Sequence, residues 1–135
     1  MTFFDCYIKT KNKKCVQKFK DVPAAELMTY AQASKLDEFA GRLARDAVLI
    51  DIDDADQGER LLDIVDALQL NCQVRKTSRG YHFYFLNAGI EKCATHTRLA
   101  VGLTADIKVG SKNSYAVLKT DGKERPIVYD IEDGE

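Results

Sequence analysis

The chain has 135 residues, 45% of them hydrophobic, enough for one compact core and too few for two full domains. No apolar run approaches the roughly 20 residues that span a bilayer, and the start lacks the charged-then-apolar pattern of a signal peptide, so a cytoplasmic protein without membrane contact is expected. The net charge of −1 averages segments of opposite sign: residues 1–35 carry +4, 36–71 carry −7, 72–125 carry +6 and 126–135 carry −4.

In chain order, Phe3–Ile8 is predicted as a strand, followed by a loop or exposed hairpin in the lysine-rich stretch Lys9–Lys20. Asp21, with Pro23 in the first turn, starts a helix with its body at Ala24–Ala33, and a second short helix is predicted over Leu36–Leu43. Val48–Asp53 is an apolar run ending in acid, the pattern of a central strand whose carboxyl end opens onto a site. From Gln57 to Leu70 the spacing is helical, with Leu61, Leu62, Ile64, Val65 and Leu68 as the apolar stripe. Cys72–Thr77 and Tyr81–Phe85 read as two strands joined by a short loop holding Arg79 and Gly80. Two later strands are predicted at Ala105–Val109 and Ser114–Lys119, with Ser111–Asn113 turning between them. The sum is an α+β fold: an RNA-recognition-like sheet with packed helices, preceded by a small N-terminal αβ unit.

Cys6, Cys15, Cys72 and Cys93 contain no C-x-x-C pair, and only His82 and His96 are available to complete a nitrogen/sulfur site. Reduced structural thiols are expected, and no zinc.

Alternation along the Val48–Asp53 strand turns Ile50 and Ile52 to one face and Asp51 and Asp53 to the other. Two carboxylates on one patch repel unless a cation neutralises them, and magnesium takes such oxygen ligands. Asp54 and Asp56 are read instead as acids favouring the helix N-terminus. In Thr77-Ser78-Arg79-Gly80-Tyr81-His82, a three-residue loop would set Ser78 opposite His82, with Gly80 supplying a positive φ. Ser78, His82 and local backbone N–H groups would then make a donor set for phosphate oxygens, the alternative for His82 on this aromatic strand being a satisfied structural histidine. Phe83 and Phe85 are assigned to the core, with His82 and Tyr84 opposite. Asp106 and Lys108 share a face of their strand, either as members of an ordinary cross-strand ion pair or as a third metal-site carboxylate with an ammonium near a triphosphate.

The ordered set Val48-Leu49-Ile50-Asp51-Ile52-Asp53, Ser78-Arg79-Gly80-Tyr81-His82 and Thr104-Ala105-Asp106-Ile107-Lys108 resembles the archaeo-eukaryotic primase superfamily. Leu49–Asp54, Thr77–Phe85 and Leu103–Pro126 resemble the N-terminal primase-polymerase domain of phage and mobile-element primase-helicases of Gram-positive bacteria. The likeness covers roughly residues 20–130 and implies a split architecture; within the single domain expected over 1–135, this gives an N-terminal αβ unit to about residue 45, a catalytic core over about 46–126 and an acidic tail or linker at 127–135. It implies Asp51, Asp53 and Asp106 as catalytic metal ligands for a two-metal Mg²⁺ or Mn²⁺ site, and Ser78, His82 and Lys108 as nucleotide-binding residues. It further implies template-directed nucleotidyl transfer as a DNA primase or polymerase, with single-stranded DNA, nucleoside triphosphates and a replicative helicase, fused or separate, as partners in the host cytoplasm. Arg75, Lys76, Arg79, Arg98, Lys112 and Lys119 are the candidates for nucleic-acid contact. No G-x-x-x-x-G-K-[ST] phosphate loop and no cysteine-rich zinc module occur in the chain.

Two other enzyme classes use D-x-D on a strand. A Toprim enzyme needs an upstream strand-end glutamate and leaves Ser78 and His82 without a role. A haloacid-dehalogenase-type phosphatase needs a Gly-Thr-like pair where Asp54-Ala55 stands. The non-enzymatic alternative is a single-stranded nucleic-acid-binding module of a replication assembly, which has no need of three aligned acids.

Overall fold

A computed structural model describes residues 3–86, 94–98 and 103–130, with the backbone alone for 94–98. The strands are β1 Phe4–Lys11, β2 Lys14–Cys15, β3 Phe39–Leu43, β4 Ala47–Ile52, β5 Gln73–Lys76, β6 Tyr81–Leu86, β7 Ala94–Arg98, β8 Thr104–Val109, β9 Tyr115–Thr120, β10 Lys123–Glu124 and β11 Ile127–Asp130. The helices are a single turn, α1 Tyr30–Ala33, and α2 Ala55–Leu68. They accompany two sheets, one ordered β10-β9-β3-β1-β2 and the other β11-β5-β6-β4-β8-β7. Every pairing is antiparallel. The architecture is thus mixed α and β, with two antiparallel sheets.

The stretch β4–α2–β5–β6 has the predicted order of strand, helix, strand, strand. Asp54 caps α2 by accepting from the Gln57 N–H at 2.9 Å, and Asp56 lies in the first turn, as read from the sequence. The apolar stripe of α2 covers one face of the six-stranded sheet, where Ile52, Val65, Cys72, Val74, Tyr81 and Phe83 form a core. Leu68, assigned to that stripe, is exposed instead. The opposite face of the same sheet packs through Leu49 and Tyr84 on Phe4, Leu43 and Leu118 of the other sheet and on Phe3 just before it. The face carrying the alternate residues of β4 and β6 is therefore covered by a second sheet, and a site on it lies in a cleft.

Three local expectations are corrected. Phe39–Leu43 is a central strand, not a helix: all five residues are buried between β1 and β9, so no polar alternation marks it. Gly41 in its middle is required by the Phe4 ring, which a Cβ would meet at 2.5 Å. The helix expected from Asp21 is broken into a 3₁₀ turn at Ala24–Glu26 and α1. Between them Met28 pairs as an extended residue with Tyr7 of β1, and Thr29 begins α1 afresh with a Gln32 capping box. Residues 127–130, read as part of an acidic tail, form β11 on the edge beside β5.

β8 and β9 are present as predicted, but they belong to different sheets. The 3₁₀ turn Gly110–Lys112 carries the chain across, and it passes so close to the 44–45 backbone that a Cβ on Gly110 would lie 1.7 Å from the Ala44 carbonyl oxygen. Residues 115–124 thus return to the sheet built from the N-terminal segment. That return brings β9 over the end of β4.

Candidate active site

Asp51 of β4 is the direct partner of His82 on β6 and of Asp106 on β8. Arg75 of β5 is in turn the partner of His82. One rung of the sheet therefore reads Arg75, His82, Asp51, Asp106, and cross-strand partners share a face. Asp53 follows two residues beyond Asp51, just past the end of β4. A cavity of about 310 Å³ opens over this face, lined by Asp51, Asp53, Ser78, Arg79, His82, Asp106 and Lys108, and from elsewhere in the fold by Lys13, Tyr115 and Arg125. An adjoining cavity, of about 290 Å³, shares the three aspartates and adds Gln57 and Thr104. All six residues assigned from the sequence to metal or nucleotide line the first space.

The hydrogen bonds within it are specific. His82 Nε2 lies 3.3 Å from Asp51 Oδ1, and its Nδ1 lies 3.1 Å from the Tyr84 hydroxyl. Burial pushes the His82 pKa down against the opposing pull of Asp51, with Arg125 and Lys108 adding to the lowering, so the imidazole is neutral at pH 7. Because Nε2 faces the Asp51 carboxylate, which accepts, it is assigned the proton, and Nδ1 is left to accept from the Tyr84 hydroxyl. Burial pushes the Asp51 carboxyl up, but the His82 hydrogen bond and the charges of Lys108 and Arg125 outweigh it and hold the group below the ordinary carboxylate range. Asp53 pairs with Arg79 at 2.8 Å, both side chains being more than half exposed, which makes this a weak, screened contact.

Oxygen donors on one wall suit a hard divalent cation. In the conformers present, Asp51 is engaged by His82 and Asp53 by Arg79, and among the described residues no three His, Cys, Asp or Glu side chains are gathered as a ready metal cage. For these donors to hold magnesium or manganese, Asp51 would have to turn from His82 and Asp53 from Arg79.

The hairpin differs from its sequence reading. Lys76 and Tyr81 form the last rung, leaving a four-residue loop Thr77–Gly80, so Arg75 rather than Ser78 stands opposite His82. Ser78 reaches the cavity from the loop. The loop is closed by Thr77 N–H to the Gly80 carbonyl, 2.9 Å, and Gly80 N–H to Thr77 Oγ1, 3.0 Å. Gly80 does not have a positive φ. It is needed because a Cβ there would lie 1.9 Å from the Ile52 carbonyl oxygen, where the hairpin presses on the end of β4.

Of the residues assigned to nucleic acid whose side chains are described, Arg79 alone lines the cavity. Arg75 is half-buried, bonded to Gln73 and set over the Phe4 ring. Lys76 occupies the α2 side of its strand, over Tyr81 and bonded to the Thr77 and Gly80 carbonyls. Lys119 donates to the Ser34 carbonyl at 2.9 Å, and Lys112 lies in the exposed 3₁₀ turn away from both cavities. The Arg98 side chain, like Cys93 and the His96 side chain, lies outside the described residues. Burial pushes the thiols of Cys6 and Cys72 up to about 12, which keeps them protonated and inert.

The polar cavity residues Lys13, Tyr115 and Arg125 escaped the sequence reading. Lys13 was visible only as part of a lysine-rich hairpin, and Tyr115 as a strand aromatic. Arg125 had no signal at all: it is placed by its N–H to the Leu118 carbonyl and its guanidinium to the Val117 carbonyl, contacts made by the return of β9. Comparison with family models, with curated proteins and with solved structures finds no match to this chain.

Proposed function

We propose that this protein is a divalent-cation-dependent nucleotidyltransferase that builds a DNA or RNA strand on a single-stranded DNA template. In this reading the fold is of primase-polymerase type, the six-stranded sheet being its RNA-recognition-like catalytic half. The observation that carries it is the rung His82, Asp51, Asp106, drawn from three separate motifs and lining one cavity with Asp53, Ser78 and Lys108.

Asp51, Asp53 and Asp106 would hold Mg²⁺ or Mn²⁺. Such an ion supplies charge neutralisation at the transferring phosphoryl group and a lowered pKa for the attacking 3′-hydroxyl. The chain's own residues do the positioning. His82, neutral and held by Tyr84, offers its Nε2–H to a phosphate oxygen, exchanging it for Asp51. Ser78 offers a hydroxyl from the loop, and Lys108 and Arg125 offset the triphosphate charge from two sides. No separate protein base is required, since transfer of this kind rests on alignment and charge. A replicative helicase, fused or separate, and a phage or mobile-element setting belong to this same proposal.

The engagement of Asp51 by His82 and of Asp53 by Arg79 favours a second reading, a non-catalytic module that binds single-stranded nucleic acid. Incubation with a single-stranded template, nucleoside triphosphates and Mg²⁺ or Mn²⁺ separates the two. Templated product is expected, and its loss in the Asp51→Asn, Asp53→Asn double variant. Undiminished synthesis by that variant contradicts the assigned site, and template binding without any product favours the second reading.

A further inference from the structure

Residues 9–20 contain six lysines and no acid, and all six lysines are exposed. β1 and β2 are joined by the two-residue turn Asn12-Lys13, with φ of 51° and 67°. Left-handed φ at both positions is the type I′ turn, whose second position strongly favours glycine. Here it holds a lysine, in a conformation that long side chains adopt at a cost. On either side of the turn Lys11 and Lys14 are direct cross-strand partners, like charges that weaken the rung. Among the described residues no ion pair joins the lysines of this hairpin to an acid.

The Lys13 N–H donates to Glu38 Oε2 at 2.6 Å, which steadies the turn, but the lysine side chains still work against the hairpin's own stability and concentrate positive charge at its tip. Lys13 at that tip lines the cavity of Asp51 and Asp106. Local conflict of this kind marks a segment shaped by a ligand. Arg75, Lys76 and Lys119 are turned to internal contacts, so the hairpin is an exposed basic track that is continuous with the cavity.

We infer that the β1–β2 hairpin binds the phosphate backbone of a single-stranded nucleic acid and guides it to the cavity, with Lys13 taking the phosphate nearest the aspartates. The choice of a nucleic acid among polyanions rests on the nucleotidyl-transfer reading. The flanking Lys11 and Lys14 would hold adjoining phosphates, so the bound strand relieves the repulsion across their rung.

The test is fluorescence anisotropy with a labelled oligothymidylate, in chelator and without nucleotide, across a salt series. Each phosphate contact to a single strand contributes about 0.7 to the log–log salt slope. Replacing Lys11, Lys13 and Lys14 by Gln should therefore flatten the slope by about 2 and weaken binding on the order of tenfold at low salt. Replacing Lys35, Arg60 and Lys123 by Gln makes the same charge change elsewhere and should leave the slope intact. Equal loss in both triple variants overturns the inference. Lys13→Gly relieves the left-handed position, so it should melt no lower than wild type yet bind more weakly; undiminished binding overturns the Lys13 contact. Vesicles of phosphatidylserine and phosphatidylcholine form the other arm, and hairpin-dependent binding to them without hairpin-dependent oligonucleotide binding assigns the track to lipid instead. Hairpin-dependent binding by a protein that makes no product leaves this inference standing and removes nucleotidyl transfer. Templated synthesis with hairpin-independent binding does the reverse.

Discussion

Asp51 and Asp106 are direct partners across the β4–β8 ladder, two carboxylates on one rung of the sheet. Like charges in that relation destabilise a ladder by a few tenths to about 1 kcal/mol. Without metal, Asp106→Asn lifts that repulsion and keeps a side-chain oxygen in place, so it is expected to abolish synthesis with little change in melting temperature, the signature of a residue kept for function rather than structure. Thermal melts in chelator check this. A clear fall in melting temperature would mean that Asp106 is there for structure.

His82 gives a pH dependence whose sign is fixed. Burial sets its folded pKa below the ordinary 6.5, so its contribution to stability is complete above that value and is lost as pH falls through the folded pKa. Asp51, also lowered from its ordinary 3.8, continues the loss in the carboxylate range. Melting temperature should fall between pH 7.5 and pH 5, and His82→Gln should fall less steeply over the same window. Parallel curves for the two proteins would remove His82 as the cause.

Much of this site was legible because it obeys simple periods. Strand alternation put Asp51 and Asp53 together and separated them from Ile52, and the same alternation joined Asp106 to Lys108. The helical spacing at α2 and the acids at its start were equally local. What was not legible depended on contacts distant in sequence. Phe39–Leu43 is buried on both faces and so lost the alternation that marks a half-exposed strand. The parting of β8 from β9 depends on Gly110 slipping past Ala44, which no spacing rule encodes. Arg125 enters the cavity only as a result of that parting.

Gly80→Ala tests how tightly the loop is coupled to the site. The added methyl would lie 1.9 Å from the Ile52 carbonyl oxygen, a contact with backbone that has no rotamer to move. Overpacking of this kind costs about 1–3 kcal/mol, and the displaced residues are those that carry Asp53 and Ser78. Urea unfolding should show the loss, with a fall in synthesis beyond what unfolding explains. A variant as stable as wild type would show that the loop is free to withdraw.

Arg125 should act on the nucleotide rather than on the fold of β4. Its half-buried guanidinium donates to the Val117 carbonyl at 2.9 Å and faces the cavity. Charge-assisted hydrogen bonds contribute about 1.5–3 kcal/mol, so Arg125→Ala should raise KM for the triphosphate on the order of tenfold or more, with Arg125→Lys intermediate. Steady-state kinetics at varied nucleotide concentration decide it. Unchanged KM would confine Arg125 to structure.

The premise beneath the mechanism is that Asp51, Asp53 and Asp106 act as one cation site. Titration of the protein with Mn²⁺, following loss of the free-ion signal by electron paramagnetic resonance, measures this without requiring activity. Saturable uptake is predicted for the wild type, weakened on the order of tenfold or more in Asp106→Asn and in Asp51→Asn, since removing one partner from a shared set weakens the whole. Uptake by both variants equal to that of the wild type would contradict it.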